Sequence, residues 1–275
     1  MRPLKNQVVI VTGASSGIGE ALAREYAARG ARLVLVARRA DRIDRLAKEI
    51  RSGGGSAVAV SGDVTSDGDL ERAAEVARRE FGGIDVVVAN AGFGVNGLVQ
   101  DLVLDDFRRQ FETNVFGVLR TFYATVEDLK KSRGSFVIVG SVSGHVATPT
   151  TGAYAMSKFA VRALADSLRA EMRRNGVAVT LISPGFIRSD IRVTDNLGRV
   201  RDGAKDPVPG WLQMPAEKAA RKIVRAIQCR RRERILTGLG HVAVPLQRFC
   251  PWLIAWLLGR VRVKTREERL NPSTS

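Results

Sequence analysis

The chain predicts an α/β fold with a doubly wound parallel sheet flanked by helices. Three features of the sequence point there. Apolar runs of strand length alternate with segments of helical periodicity along most of the chain, the pattern of successive βαβ units. The first such run leads straight into a glycine-rich turn and then a helical segment rich in alanine and leucine, the order a phosphate-binding turn requires. No internal repeat or long flexible linker divides the 275 residues. One large domain is therefore expected, and a hydrophobic content of 45% is enough to fill its core.

Taken in order, residues 7–11 are short and β-branched and read as the first strand. Residues 17–29 carry helical alanines and leucines and stop at Gly30. Residues 32–36, 57–60, 84–89, 136–139 and 177–182 read as further strands. The helical patterns between them fall at 41–50, 70–81, 105–130 and 152–174. Residues 215–231 read as one more helix and 234–237 as a last strand. The domain is drawn at 1–240, with an apolar and then basic extension at 241–275.

Composition narrows the functional classes. The two cysteines, Cys229 and Cys250, make neither a disulfide framework nor a metal-ligand cluster, which points to a reducing, cytoplasmic setting. With only His145 and His241 in addition, no metal site is expected. Residues 1–5 hold two basic groups and run directly into the first strand, so they do not read as a signal peptide. The net charge of +16 is spread over the chain. It fits an arginine-rich solvated surface, or attraction to the phosphates of a cofactor or a membrane. No zinc-finger, helix-turn-helix or aromatic RNA-binding signature accompanies it, so no nucleic-acid partner is expected.

Several short motifs carry chemistry. Between the first strand and first helix stands TGASSGIG at 12–19. Gly13, Gly17 and Gly19 let the backbone turn tightly and approach a pyrophosphate at the helix N-terminus. The domain is thus expected to be of the Rossmann type. At the end of the second strand, Ala37 stands where an acid would select the ribose 2′-hydroxyl of NAD, and Arg38 and Arg39 follow. A guanidinium offers forked donors to a 2′-phosphate, so NADP is expected over NAD, with Arg38 ranked before Arg39. Asp63 and Val64 follow the third strand, where a carboxylate can accept from an adenine amino group. Asn90, Ala91 and Gly92 turn the chain after the fourth. Asn114 and Gly117 break the helical preference of 105–130 from within. Ser141 closes an apolar run, and Tyr154 and Lys158 share one face of the next helix. An ammonium beside a phenol favours phenolate, which suits proton exchange with an alcohol or carbonyl oxygen.

Together these residues, with the Ser-Pro-Gly run at 183–185, resemble the short-chain dehydrogenase/reductase family across roughly residues 5–240. The resemblance implies Tyr154 as general acid/base and Ser141 as partner of the substrate oxygen. It implies that Lys158 binds the nicotinamide ribose and lowers the tyrosine pKa, and that Asn114 holds a water of a proton relay. By the same resemblance Gly13, Ser15, Ser16, Gly17, Ile18, Gly19, Arg38, Arg39, Asp63, Val64, Asn90, Ala91 and Gly92 contact the dinucleotide. Pro184, Gly185 and Ile187 then lie against the nicotinamide. Ala89 stands where the family usually has asparagine, and Ser189 near where it often has threonine.

The implied activity is hydride transfer between NADPH and a carbonyl or secondary alcohol, with Ser141 and Tyr154 contacting the substrate. Substrate choice is expected to lie between Ile187 and Trp211 and in the loop 145–151, with His145 a loop or pocket-wall residue and not a second acid/base. Trp252 and Trp256, followed by Arg260, Arg262 and Lys264, suit a membrane interface. A tail packed on its own domain or on another subunit fits equally. Comparable tails in membrane-associated members of the family favour a lipophilic substrate (steroid, retinoid or acyl-lipid-like). A homo-oligomer through 105–130 and 152–174 is also expected by resemblance. The competing class is a dinucleotide-binding regulator without turnover.

Overall fold

In the computed structural model, residues 3–199 and 203–261 are described. Arg201 and Asp202 of the expected substrate region, and Arg262 and Lys264 of the tail, lie outside them. The strands are β1 (Val8–Thr12), β2 (Arg32–Ala37), β3 (Ser56–Ser61), β4 (Val86–Ala89), β5 (Ser135–Val139), β6 (Ala178–Ser183) and β7 (Glu233–Ile235). They form a seven-stranded sheet in the order β3-β2-β1-β4-β5-β6-β7, parallel at every pairing. The helices are α1 (Gly17–Ala27), α2 (Ala40–Ser52), α3 (Asp69–Phe81), α4 (Leu104–Phe111), α5 (Gly117–Ser132), α6 (Gly152–Glu171), α7 (Ala216–Gln228), α8 (Gly238–Phe249) and α9 (Pro251–Gly259).

The strands are apolar almost without interruption because both faces are covered. Val9, Val11, Leu33 and Leu35 pack with Leu22 and Tyr26 of α1, Ile43 of α2 and Ile223 of α7. Val8, Ile10, Val34 and Val36 face the other way, into Leu70 of α3, Val118 and Phe122 of α5 and Val161 of α6. Each fully buried aliphatic side chain contributes about 1.5–3 kcal/mol, so the sheet is stabilised from both sides at once. The chain moves from β1 outward to β2 and β3, then returns past β1 to β4. That reversal opens a crevice beyond the carboxyl ends of β1 and β4, where open parallel sheets bind ligands.

Strand and helix positions agree with the sequence reading to within a few residues, but the long helix expected at 105–130 is interrupted. Between α4 and α5 the backbone widens into a π-turn over Glu112–Phe116, with Asn114 and Val115 buried in it. Such widenings recur at functional sites. Immediately after it, Val64 packs against the backbone of Gly117, leaving no room there for a side chain. The loop after β3 is thereby docked onto the start of α5.

Candidate active site

A cleft of about 720 Å³ runs along the carboxyl edge of the sheet. Its lining includes every candidate cofactor contact from the sequence except Gly19, along with Ser141, Tyr154 and Lys158. Asn114 is not in the wall; it lies beneath it, 1% exposed.

At one end the turn between β1 and α1 forms a cradle. A side chain on Gly19 would stand 2.2 Å from the carbonyl oxygen of Gly13, so only glycine lets the turn close on the helix. Ser16 begins α1 without a side-chain cap, which leaves helix N-terminal amides for an anion. Asn90 locks the turn to β4: its Nδ2 donates to the carbonyl oxygen of Thr12 at 2.9 Å, and the Asn90 and Ala91 amides donate to Thr12 Oγ1 at 3.0 and 3.1 Å.

The two arginines after β2 separate in role. Arg39 Nε and Nη2 donate to Ser15 Oγ at 3.0 and 2.9 Å, and Nη2 also to Ser16 Oγ at 2.7 Å. Arg39 is thus laid across the turn. Arg38 is 64% exposed and stands 3.6 Å from Asp63 Oδ2. Asp63 Oδ1 accepts from the amide and hydroxyl of Thr65 at 2.9 Å each. A glycine cradle with free helix amides and a guanidinium beside it fits a dinucleotide phosphate chain.

In the middle of the cleft, three elements converge. Ser141 follows the end of β5, and its Oγ accepts from the Ser143 amide at 3.0 Å. The Ser141 hydroxyl is also a hydrogen-bonding neighbour of the Tyr154 phenol. Tyr154 and Lys158 stand one turn apart on α6, with Lys158 Nζ 5.6 Å from the centre of the Tyr154 ring. Lys158 is buried and donates to the carbonyl oxygen of Val139 at 2.9 Å. Loss of water lowers its pKa from 10.5 to about 8.

Burial pushes the Tyr154 pKa up, and the groups that pull it back are the Ser141 hydroxyl and the Arg192 guanidinium. Lys158 Nζ is bonded to the Val139 carbonyl and lies over the Tyr154 ring, 5.6 Å from its centre.

Asn114 is tied into the floor. Its Oδ1 accepts from the Phe93 amide at 3.2 Å, while Nδ2 donates to the Phe93 carbonyl at 3.0 Å and to Ser157 Oγ at 3.1 Å. Ser157 in turn donates to the Tyr154 carbonyl at 2.7 Å, so the π-turn and α6 are linked through one hydroxyl. A side chain on Gly92 would come within 2.9 Å of Asn114 Oδ1 and 3.7 Å of Lys158 Nζ. The sequence reading missed Gln110, fully buried one turn before Asn114. It bonds Val95 N at 2.6 Å and Phe93 O at 2.8 Å, and its signal was two amides spaced i, i+4 on one helix.

At the far end, Pro184, Gly185 and Ile187 leave β6 along the wall. The segment after them crosses the cleft mouth. Asp190 Oδ2 lies 3.6 and 3.5 Å from Arg39 and Arg42. Arg192 pairs with Asp206 through Nε and Nη2 at 2.6–3.0 Å. The Asn196 carboxamide accepts from Asn96 N and donates to Asn96 O, both at 3.0 Å. Ser189 lines the wall and bonds Ile187 O at 3.4 Å.

Residues 145–151 stand outside the lining of this cleft. His145 is buried, with Nε2 2.8 Å from Glu233 Oε1 and 3.2 Å from Ser183 Oγ. It is a polar lock between the Ser141 turn and the edge strand. Phe93, Arg109, Thr113, Ile191, Thr194 and Leu197 are further lining residues of the cleft.

The family model described as short chain dehydrogenase matches residues 7–199. The chain is 31% identical to "Dehydrogenase/reductase SDR family member 7B" of Bos taurus over 278 residues, covering 97% of this chain and 84% of the bovine protein. Among solved structures it resembles a short chain dehydrogenase/reductase from Burkholderia phymatum in complex with NAD. There the TM-score is 0.83 at 25% identity, covering 92% of this chain and 96% of that one. It also resembles an alcohol dehydrogenase from Thermococcus sibiricus complexed with 5-hydroxy-NADP, at TM-score 0.74 and 28% identity, covering 85% and 97%.

Proposed function

The chain belongs to the short chain dehydrogenase family, and from that premise we propose an NADP(H)-dependent oxidoreductase that interconverts a carbonyl and a secondary alcohol. One observation carries the reading: Ser141, Tyr154 and the buried cation of Lys158 meet on the cleft floor, in line with the glycine turn on which Arg39 lies. A bound nicotinamide dinucleotide supplies the hydride chemistry. The protein's own residues supply the proton and hold the reacting oxygen.

For reduction, Tyr154 donates its proton to the carbonyl oxygen as charge develops there, and the Ser141 hydroxyl donates to the same atom. The raised phenol pKa keeps Tyr154 in the acid form this step needs. Lys158 offsets the charge left on the phenolate, and Asn114 keeps α6 and the π-turn in register beneath the pair. Oxidation needs the phenolate and so gains as pH rises. In this reading Gly13, Ser15, Ser16, Gly17, Ile18, Gly19, Asp63, Val64, Asn90, Ala91 and Gly92 hold the dinucleotide. Pro184, Gly185 and Ile187 flank its nicotinamide end.

The finer choices rest on separate supports. NADP over NAD is supported by Arg39 on Ser15 and Ser16, with Arg38 a second contact at the rim. A lipophilic substrate and a peripheral membrane contact are supported by α8 and α9. Among the described residues no single helix is long and apolar enough to cross a membrane, but these two pass together as a pair bent by 113°. A homo-oligomer is supported by Phe116 and Tyr123 beside Met156 and Phe159, all exposed at the π-turn, α5 and α6.

The test is a screen of NADPH and NADH oxidation over aliphatic, aromatic, steroid and acyl ketones. We expect NADPH turnover, highest with the apolar ketones. Equal or faster NADH use would remove the NADP assignment. Dinucleotide binding with no turnover on any ketone would favour a non-catalytic regulator.

A further inference from the structure

All three tryptophans of the chain are exposed: Trp211 at 83%, Trp252 at 70% and Trp256 at 55%. An indole carries a large apolar face and one donor, and it is enriched where a surface is apolar on one side and wet on the other. Leu239, Val242, Phe249 and Leu257 are exposed around the two hairpin tryptophans. The Arg260 guanidinium lies 3.4 Å over the Trp256 ring, and that of Arg248 5.8 Å from the Phe249 ring. These are apolar bodies with cations at their margin, the arrangement that suits an anionic interface.

Trp211 lies far from α8 and α9 in sequence, in the turn Gly210–Leu212, here called the lid turn. Both regions nevertheless spring from one place. Met214 pairs with Ile187, and its amide donates to Phe186 O at 2.9 Å. The Thr237 side chain, which caps α8, packs against the backbone of Gly185. Gly240 of α8 packs against Val142, next to Ser141. The end of the lid and the start of the hairpin are thus anchored on residues 185–187, beyond β6, at the same sheet edge as Tyr154.

We propose that the lid turn and the hairpin form one lipid-binding rim around the cleft mouth, with Trp211 inserting from the lid. An apolar substrate then passes from an anionic bilayer to Tyr154 without crossing bulk water. This rests on the membrane contact of the hairpin and extends it to the lid. A second copy is the rival occupant, but it would set Arg248 and Arg260 against like charge, whereas an anionic bilayer sets them against opposite charge.

The test uses the full chain in two forms, one keeping Trp211 alone (Trp252→Phe with Trp256→Phe) and one lacking it (Trp211→Phe). Each is titrated with phosphatidylcholine–phosphatidylserine vesicles containing acyl-brominated lipid, with co-sedimentation measured on the same samples. We expect vesicle-bound protein with Trp211 alone to shift its emission to the blue and be quenched by bromine. Bound protein in which Trp252 and Trp256 are quenched while Trp211 stays unquenched would overturn the lid insertion and leave the hairpin contact standing. Failure of both forms to bind vesicles would overturn the hairpin reading together with the rim. A blue shift of Trp211 that grows with protein concentration without lipid would assign the surface to a second copy and overturn the proposal.

Discussion

The floor of the cleft and its rim are held in opposite ways. On the floor, each functional side chain is fixed by main chain or by a buried neighbour: Lys158 by the Val139 carbonyl, Asn114 by Phe93, Ser141 by the Ser143 amide. Over the rim, the segment after Ile187 is held by more exposed side-chain bonds, such as Asp190 with Arg42 and Asn196 with the Asn96 main chain, and it leaves Leu197 and Trp211 in solvent. The contrast follows from what each must do. Proton exchange loses its advantage when reacting atoms are misplaced by an ångström, whereas admission of an apolar molecule needs surface that can move. Floor substitutions should therefore act on turnover, and rim substitutions on substrate affinity.

The largest effect is expected at Lys158. Lys158→Met should lower turnover by about 10³-fold or more, near the upper range for proton-transfer groups, measured beside circular dichroism to confirm folding. The same residue sets a pH dependence. Burial holds its pKa near 8, so in carbonyl reduction the rate should be level below about pH 8 and fall above it as the charge is lost. Stability runs the other way. The folded chain binds that proton less tightly than the unfolded chain, so between about pH 8 and 10.5 the unfolded state holds more protons and stability rises with pH. In urea titrations, the wild type should gain on Lys158→Met across that window. No relative gain would mean that Lys158 is not buried as a cation.

Gly92→Ala sharpens the same side of the comparison by crowding Asn114, with Lys158 Nζ only in ordinary contact. Its methyl meets Asn114 Oδ1 at 2.9 Å, and overpacking of this kind costs about 1–3 kcal/mol. We expect turnover to drop roughly 10–100-fold with little change in KM. A change confined to KM would break the division between floor and rim.

Arg39→Ala should weaken NADPH binding by roughly 10–100-fold, as loss of a charged hydrogen-bonding partner does, and leave NADH little changed. Arg38→Ala should act in the same direction but less. Fluorescence titration of both coenzymes checks this, and the reverse ranking would restore Arg38 as the principal contact. The smallest effect is expected on the rim, where Asn196→Ala removes the two bonds to the Asn96 backbone. Exposed bonds of this type contribute about 0.5–1.5 kcal/mol each, so KM should rise several-fold at unchanged kcat.

The same contrast decides how much was legible in the sequence. Strand positions, the glycine turn and Tyr154 with Lys158 were readable because sterics admit few residue types there: glycine at 19, apolar residues on both faces of β1. The break at Asn114 and Gly117 was visible as a violation of helix preference, and the π-turn is its structural form. The direction of the Tyr154 shift was not readable, because it depends on burial and on Arg192, which lies 38 positions away (192 − 154). Likewise Arg39 outranks Arg38 in contact with the turn because of where α2 begins, and one residue of register decides which guanidinium faces Ser15. His145 was placed in the right loop, but its turn inward to Glu233 depends on the edge strand, which is distant in sequence. The rim was legible only as composition, since an exposed tryptophan and a buried one read alike.

The central claim is that this floor performs proton exchange beside a bound dinucleotide. The direct measurement is NADPH affinity and single-turnover carbonyl reduction in Tyr154→Phe beside the wild type. Affinity within a factor of about three and a reduction rate at least about 10³-fold lower is the expected result. Retention of the wild-type rate in the variant would contradict the assignment of Tyr154 as the proton donor.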